Sequence, residues 1–215
     1  MSSKTPKTLV ASIRNGAISL GLFAVVTAAA ISLTYVAGSN SIAANKAATK
    51  ARALSAVMPA KFYDQSLLSA PQRLIDYNAL NLPPLALAYA AVKAGSTQAI
   101  VLPVIAKDGY SGDISLLIGI DKKGIIQGVR AIDHKETPGL GDKVERKKSS
   151  WIDSFNGRSL VSTPTSDWAV TKDGGVFDGF TGATITPRAV IKAVYQGLVY
   201  HQSQHPSLYT LAQEN

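Results

Sequence analysis

The residues that could do chemistry in this chain cluster in a ten-residue stretch, 178–187, which reads DGFTGATITP. Thr181 and Thr184 place a hydroxyl at each end of a run of small residues. Gly182 permits close approach of the backbone to a ligand, and the methyl group of Ala183 adds little bulk. Such a run can bind a phosphate group, although an ordinary capped turn has the same composition.

A helix is predicted directly after this run. Thr186 is a good N-cap residue, and Pro187 suits the first helical position, where an N–H would be unpaired anyway. The helix is predicted to continue to about residue 203, and an apolar stripe at helical spacing runs along it. It consists of Val190, Ile191, Val194, Tyr195, Leu198 and Val199. Thr184 therefore lies just before a helix N-terminus, where free N–H groups and the helix dipole favour an anion.

The same stretch resembles the flavinylation motif of the FMN-binding domains in the Rnf and Nqr respiratory complexes. In that family an aspartate is followed, after two residues, by Ser or Thr, Gly, Ala and a Thr that carries FMN through a phosphoester. The matching residues here are Asp178, Thr181, Gly182, Ala183 and Thr184. The resemblance implies that Thr184 is the acceptor and that a flavin transferase attaches the cofactor from FAD.

Asp178 stands six residues before Thr184. The resemblance implies that it serves recognition by the transferase or Mg²⁺ binding at that enzyme's site. Composition alone equally predicts that Asp178 and Gly179 simply form a turn.

A second stretch, residues 134–143, reads HKETPGLGDK and resembles the Glu-Thr-Pro-Gly-Leu-Gly loop of the same family. By this resemblance the loop borders the isoalloxazine ring of FMN. Gly139 and the glycine after Leu140 let the backbone approach a flat surface, and Leu140 can cover that surface with apolar bulk. Glu136 and Thr137 offer polar contacts to a ring edge. The alternative is a turn that leads into a helix and buries its leucine.

Other residue patterns predict no catalytic residue and no metal site. His201 and His205 are four apart, but a third ligand is not evident and Pro206 indicates that the helix is ending, so surface histidines are favoured. Trp151 and Trp168 could stack on a flavin or a quinone, but core packing is the better interpretation for each. The Ser and Asp residues form no recognisable nucleophilic triad.

The N-terminal part of the chain carries a membrane signal. Between Arg14 and Lys46 lie 31 uncharged residues, and residues 17–37 among them are mostly apolar. About 20 such residues suffice for a spanning helix. Three basic residues precede the run without an acidic one, which favours a cytoplasmic N-terminus. A cleaved signal peptide is the alternative, but its apolar region is usually about 7–15 residues, so we predict an uncleaved anchor.

Composition limits the remaining possibilities. With 215 residues the chain allows one ordinary domain and an anchor. It contains no Cys, which excludes disulfides and iron–sulfur or zinc ligation by thiolates of this chain. Outside the first 14 residues the basic excess is small and scattered apart from residues 146–148, a solvated turn, so we predict no nucleic-acid partner.

The fold class predicted from these patterns is α+β: one N-terminal transmembrane helix, then a mostly antiparallel sheet with packed helices. Residues 42–57 and 149–155 are predicted to be helical, and a short helix is expected after Pro71, within residues 67–77. Four strands in two hairpins are predicted, and the apolar run 116–118 indicates burial of the sheet on both faces. The strands are residues 85–92, 97–105, 112–120 and 125–132.

Five segments follow from this pattern. They are a cytoplasmic N-terminus (1–14), a transmembrane helix (15–37), a helical stalk or leading segment (38–82), an extracytoplasmic FMN-binding domain (83–204) and a tail (205–215) that is loosely ordered or docked on a partner.

The resemblance implies an electron-carrying flavoprotein subunit of the Rnf complex, a membrane-bound ion-translocating ferredoxin:NAD oxidoreductase. It implies integral-membrane and redox partners and a location on the periplasmic side of the bacterial inner membrane. Electron transfer through a flavin needs no acid, base or nucleophile from the protein. Three alternatives stay open: a C subunit of the sodium-translocating NADH:quinone reductase, a non-redox assembly or structural anchor, and a stand-alone flavoprotein for extracellular electron transfer. The second loop and the short chain favour Rnf.

Overall fold

The computed structural model describes residues 7–210, which divide into two units between Thr49 and Lys50. Helix α1 (Lys7–Ser55) makes up the described part of the first unit and ends in the second. Residues Ala11–Leu33 are long and apolar enough to cross a membrane, with a mean hydropathy of 2.1 and side chains that are not buried in the protein. This candidate span overlaps the predicted segment 15–37.

The second unit is built on a five-stranded sheet whose strands follow in chain order, each antiparallel to the next. The strands are β1 (Pro71–Arg73), β2 (Leu87–Lys93), β3 (Ser96–Ala106), β4 (Ile114–Asp121) and β5 (Ile126–Asp133). The β4–β5 turn is fixed by Asp121, whose carboxylate accepts the N–H groups of Lys123 and Ile125 at 2.9 and 3.0 Å. The α+β class and the four predicted strands are confirmed.

The structure contradicts the short helix expected after Pro71. Residues 71–73 form the edge strand β1 and pair with residues 87–89 of β2. Proline is tolerated on an edge strand, where its missing N–H does not interrupt a ladder. Only single turns of 3₁₀ helix, Leu67–Ser69 and Tyr77–Leu80, flank this strand in the described chain.

Both faces of the sheet are buried, as the apolar run in β4 indicated. Helix α2 (Ile185–Ser203) packs on one face, where Val190, Val194 and Leu198 join the core with Ile118. Gly197 lets this helix approach closely, because a Cβ there would lie 2.7 Å from the Cδ1 of Ile118. On the other face, the last turn of α1 and the segment after it cover the sheet with Leu54, Val57 and Met58.

Residues 205–210 are not the loosely ordered or partner-docked tail that the sequence predicts. Residues 205–210 instead form helix α3 (His205–Thr210). Its Leu208 and Tyr209 are buried in the domain's own core. The rest of the predicted tail, residues 211–215, lies outside the described residues.

His201 is buried by this arrangement, so the prediction that it lies at the surface is wrong. Its Nε2 lies 3.0 Å from the hydroxyl of Tyr209, which α3 brings back against the end of α2. Burial, with a smaller contribution from His205, lowers the pKa of His201 to about 4. The imidazole is therefore neutral in the folded protein at pH values well below its ordinary pKa.

Acidification should destabilise the second unit through this residue. Below pH ~6.5 the unfolded chain binds a proton at His201 that the folded chain excludes until about pH 4, so stability falls across that window. Denaturant titrations of wild type should lose about 1.4 kcal/mol of unfolding free energy between pH 7.5 and 5.5 from this group. His201→Gln should remove that part of the slope, and equal slopes in the two proteins would contradict the assignment.

Candidate functional site

The predicted acceptor Thr184 lies at the N-cap position of α2, and its side chain is exposed. Its backbone is already helical, with φ −81° and ψ −22°, and its side chain makes no capping hydrogen bond. At an N-cap, the side-chain oxygen of a threonine usually accepts a hydrogen bond from a backbone N–H of the first turn. Thr184 is thus an exposed residue without a cap bond at the positive end of a helix.

Thr186 is not the N-cap residue that the sequence predicted. It lies in the first turn of α2 and is fully buried. Its hydroxyl donates a hydrogen bond to the carboxylate of Glu136, 50 residues earlier in the chain. A buried carboxylate is a stronger acceptor than the competing backbone groups, which explains why the side chain points inward.

A tight turn precedes Thr184, the predicted acceptor. The N–H of Ala183 donates to the carbonyl of Phe180 at 3.1 Å, and Gly182 between them has φ +81°, a conformation that favours glycine. Thr181 and Gly182 are exposed, whereas Phe180 is buried. The motif therefore folds as a turn in which Phe180 is buried and Thr181 and Thr184 are exposed.

An aromatic cluster supports this turn from beneath. The ring of Phe180 packs against Trp151 at 4.8 Å between centroids, and the indole N–H of Trp151 donates to the carbonyl of Asp178 at 2.7 Å. Phe155 then joins Trp151 to Trp168. Both tryptophans are 9% exposed, so the predicted core packing of each is confirmed. The carboxylate of Asp178 stays at the surface.

The second predicted loop is held by its own backbone. The carbonyl of Thr137 accepts the N–H groups of Leu140 and Gly141, each at 3.1 Å. The carboxylate of Asp142 accepts the N–H of Gly139 at 2.8 Å. Leu140 is 41% exposed, contrary to the alternative in which this leucine is buried.

The structure brings the two loops together. A Cβ on Gly182 would lie 3.2 Å from the Cδ2 of Leu140, and one on Gly141 would lie 2.9 Å from the hydroxyl oxygen of Thr186. Leu140 thus lies against the turn formed by residues 180–183. Exposed apolar surface from Leu140 and Ile185 is available next to the hydroxyl of Thr184.

Glu136 occupies a different place from the rest of its loop. It is 5% exposed, and its carboxylate accepts the N–H of Ser111 at 2.9 Å in addition to the hydroxyl of Thr186. It is turned into the protein, whereas Thr137 is exposed. The polar ring contact expected of Glu136 therefore stays a prediction that this geometry does not favour.

The first basic residue of α2 is already paired. Arg188 donates to both carboxylate oxygens of Asp173 at 2.6 and 2.7 Å. This hydrogen bonding lowers the pKa of Asp173 and raises the pKa of Arg188. An anion at Thr184 would therefore be favoured by the helix terminus more than by a free guanidinium group.

Among residues 7–210, no group of three or more potential metal-binding side chains comes together. The His201 and His205 rings lie 5.6 Å apart, but each has a partner: the hydroxyl of Tyr209 and the carbonyl of Lys122. Both partners are ordinary hydrogen-bonding groups of the domain core and the β4–β5 turn.

Comparison with known proteins shows which family the chain belongs to. A family model described as an FMN-binding domain matches residues 109–199, and one described as the RnfG N-terminal region matches residues 1–57. A Vibrio cholerae protein named as the G subunit of an ion-translocating oxidoreductase complex is 40% identical over 199 residues, which cover 91% of this chain and 95% of the relative. The chain belongs to this G-subunit family. A Pseudomonas aeruginosa member is 41% identical and covers 92% of both chains.

The FMN-binding match contains both loops of this G-subunit family member, and the N-terminal match ends at Val57, where the chain reaches the sheet. A crystal structure of NqrC from Shewanella oneidensis is also similar, with a TM-score of 0.46 and 22% identity over 72% of each chain.

Three contacts of the site were missed by the sequence analysis. They are the bond from Ser111 to Glu136, the bond from Thr186 to Glu136, and the bond from Trp151 to the carbonyl of Asp178. Each joins residues at least 25 positions apart, so no local pattern could have identified them.

Proposed function

We propose that this chain is an electron-carrying flavoprotein subunit of a membrane-bound Rnf complex, an ion-translocating ferredoxin:NAD oxidoreductase, with FMN joined covalently to Thr184. One observation carries the proposal. The hydroxyl of Thr184 is exposed and makes no cap hydrogen bond at the start of a 19-residue helix. A threonine in that position is available both to a modifying enzyme and to an anion.

The residues around Thr184 fit FMN. The first N–H groups of α2 favour a phosphate, and Gly182 leaves room for close approach of the backbone. Leu140 and Ile185 supply exposed apolar surface for a flat ring. FMN itself would supply the electron transfer, and the chain would bind and orient it without an acid, base or nucleophile of its own.

The attachment would be a transfer from FAD catalysed by a flavin transferase. The hydroxyl oxygen of Thr184 bonds to the phosphorus of the FMN half, the pyrophosphate bond breaks, and AMP leaves. The hydroxyl proton is released. No oxidation or reduction takes place in this step. The exposed carboxylate of Asp178 would be accessible to the transferase during this reaction.

A covalent link suits a domain outside the cytoplasm, because loss of the cofactor then requires breaking a bond. We propose that residues 11–33 anchor the chain in the bacterial inner membrane and that the unit from Lys50 onward is periplasmic. Lys4 and Lys7 before the span and Arg14 in its first turn, with no acidic residue among them, favour a cytoplasmic N-terminus. The partners would be the other integral-membrane and redox subunits of the complex.

Peptide mapping of protein purified from native membranes tests the proposal. We expect the FMN phosphoester on Thr184, with Thr181 and Thr186 unmodified, and a yellow absorbance that dithionite bleaches. Co-eluting subunits should belong to an Rnf complex; subunits of a sodium-translocating quinone reductase would support the C-subunit alternative. A bare Thr184 in natively made protein would refute the covalent flavoprotein, and a colourless protein would leave a structural anchor.

A further inference from the structure

We propose that Glu136 and Thr186 form a buried strut that positions Thr184 for flavin attachment, and that Glu136 does not bind the flavin ring. The inference rests on the proposed function, since it assigns a role in preparing the same acceptor. Both residues are positioning residues, because neither hydroxyl nor carboxylate is exposed at the site.

The strut joins three separate parts of the chain. Glu136 follows strand β5 by three residues, and Thr186 lies in the first turn of α2, two residues after the acceptor. The carboxylate accepts the Thr186 hydroxyl with one oxygen and the Ser111 N–H, from the β3–β4 connection, with the other. The start of α2 is therefore tied to the loop that carries Leu140.

Glycines make room for this contact. A Cβ on Gly141 would lie 2.6 Å from one carboxylate oxygen of Glu136 and 2.9 Å from the Thr186 hydroxyl. A Cβ on Gly109 would lie 3.1 Å from the other carboxylate oxygen. The carboxylate is thus enclosed by backbone on both sides. An enclosed carboxylate holds its hydrogen-bond partners in place, because it cannot rotate into another orientation.

The orientation of the His134 ring adds a second support. Its Nδ1 accepts the N–H of Glu136 at 3.1 Å, so its Nε2 carries the proton and donates to Glu145, also at 3.1 Å. The backbone of Glu136 is held on one side and its carboxylate on the other. A residue whose N–H and both carboxylate oxygens are engaged inside the protein is poorly suited to contact a cofactor.

The strut affects flavin attachment because Thr184 has no cap bond of its own. The first turn of a helix frays easily, since its N–H groups lack intrahelical partners. Here the hydrogen bond of Thr186 restrains that turn from inside. Loss of the restraint would spread Thr184 over several orientations and slow attack on FAD, as misplacement of a reacting group does elsewhere.

Thr186→Val and Thr186→Ser in the full-length protein test the strut. Valine keeps the shape of threonine without the hydroxyl, and serine keeps the hydroxyl. We expect flavin attachment to be slowed by about tenfold in Thr186→Val, since bonds to charged groups are among the stronger ones, and to stay near wild type in Thr186→Ser. Hydrogen exchange of amides 188–191, which close the first turns of α2, should rise by about tenfold in the valine variant alone.

Two further variants separate positioning from general stability. Glu136→Gln can still accept from Ser111 and donate to Thr186, so it should retain most of the attachment rate, unlike Glu136→Ala. Leu208→Ala removes a buried side chain from α3, at the other end of α2, and should lower the melting temperature without slowing attachment. Equal slowing in Leu208→Ala at matched stability would overturn the strut.

The failure of the inference is distinguishable from failure of the proposed function. If wild type carries FMN but Thr186→Val matches it in both rate and exchange, the strut is refuted and the flavoprotein assignment survives. If wild type carries no FMN but exchange rises only in Thr186→Val, the strut survives as a restraint on α2 and the flavoprotein assignment fails.

Discussion

Thr184→Val is expected to abolish covalent FMN in protein made together with the flavin transferase. Valine has the shape of threonine but lacks the oxygen that would join the phosphorus of FMN. The loss should be complete, because no partial bond can replace the ester. Intact mass spectrometry measures it directly: the wild-type mass should exceed the variant mass by FMN less one water, with a correction for the side chain.

The fold should survive this substitution, which makes the result interpretable. Thr184 is exposed and makes no cap bond, so its removal should change the unfolding free energy by less than about 0.5 kcal/mol. Thr184→Ser keeps a hydroxyl and should retain attachment. An undiminished adduct on Thr184→Val would locate the ester at another hydroxyl, of which Thr181 is the nearest exposed candidate in the motif.

The turn before Thr184 and the loop around Leu140 could be recognised from the sequence because their contacts are local. The turn consists of neighbouring residues whose types are fixed by their own backbone needs, such as the positive φ of Gly182. The loop around Leu140 is likewise closed by bonds between residues 137 and 142. Hairpins β2–β3 and β4–β5 were predicted for the same reason, since apolar strands and turn residues alternate over short distances.

Long-range contacts explain what the sequence left out. Thr186 has the right type for an N-cap, but its role is decided by Glu136, which only the fold brings near. His201 reads as a surface residue until α3 returns Tyr209 to cover it. Strand β1 has three residues and exists because β2 offers it an edge, which no periodicity within residues 71–73 could indicate.

The buried aromatic cluster restrains the exposed turn that lies above it in the chain's fold, through contacts with residues 178 and 180. Phe180 and the carbonyl of Asp178 are held by Trp151, whose ring packs on Phe155. The turn itself has few apolar contacts of its own at Thr181 and Gly182. Its conformation therefore depends on the residues just before it, while the residues just after it depend on Glu136. Thr184, the proposed acceptor, lies between these two restrained segments, which leaves its side chain accessible without leaving its backbone free.

Gly119→Ala should destabilise the second unit strongly, because the absence of a side chain at Gly119 lets the segment that follows α1 pack closely on the sheet. Gly119 of β4 lies directly opposite Gly128 of β5, and the backbone of Val57 packs onto both. A Cβ on Gly119 would clash with the carbonyl oxygen of Val57, and one on Gly128 would lie 2.9 Å from its Cα. The atoms of Val57 that the added Cβ would meet belong to the backbone, so they cannot move aside as the end of a flexible side chain would.

Overpacking of this kind costs about 3 kcal/mol, and denaturant unfolding should measure that loss. Trypsin should also cut more readily after Lys50 and Arg52, because displacement of Val57 would release Leu54 and Met58 from the sheet. Gly179→Ala is a matched control, since an added Cβ there meets nothing within 4 Å and it should change stability by less than about 0.5 kcal/mol. If both alanine variants unfold at the same denaturant concentration, Val57 does not depend on the paired glycines, and the segment must be held by its side chains alone.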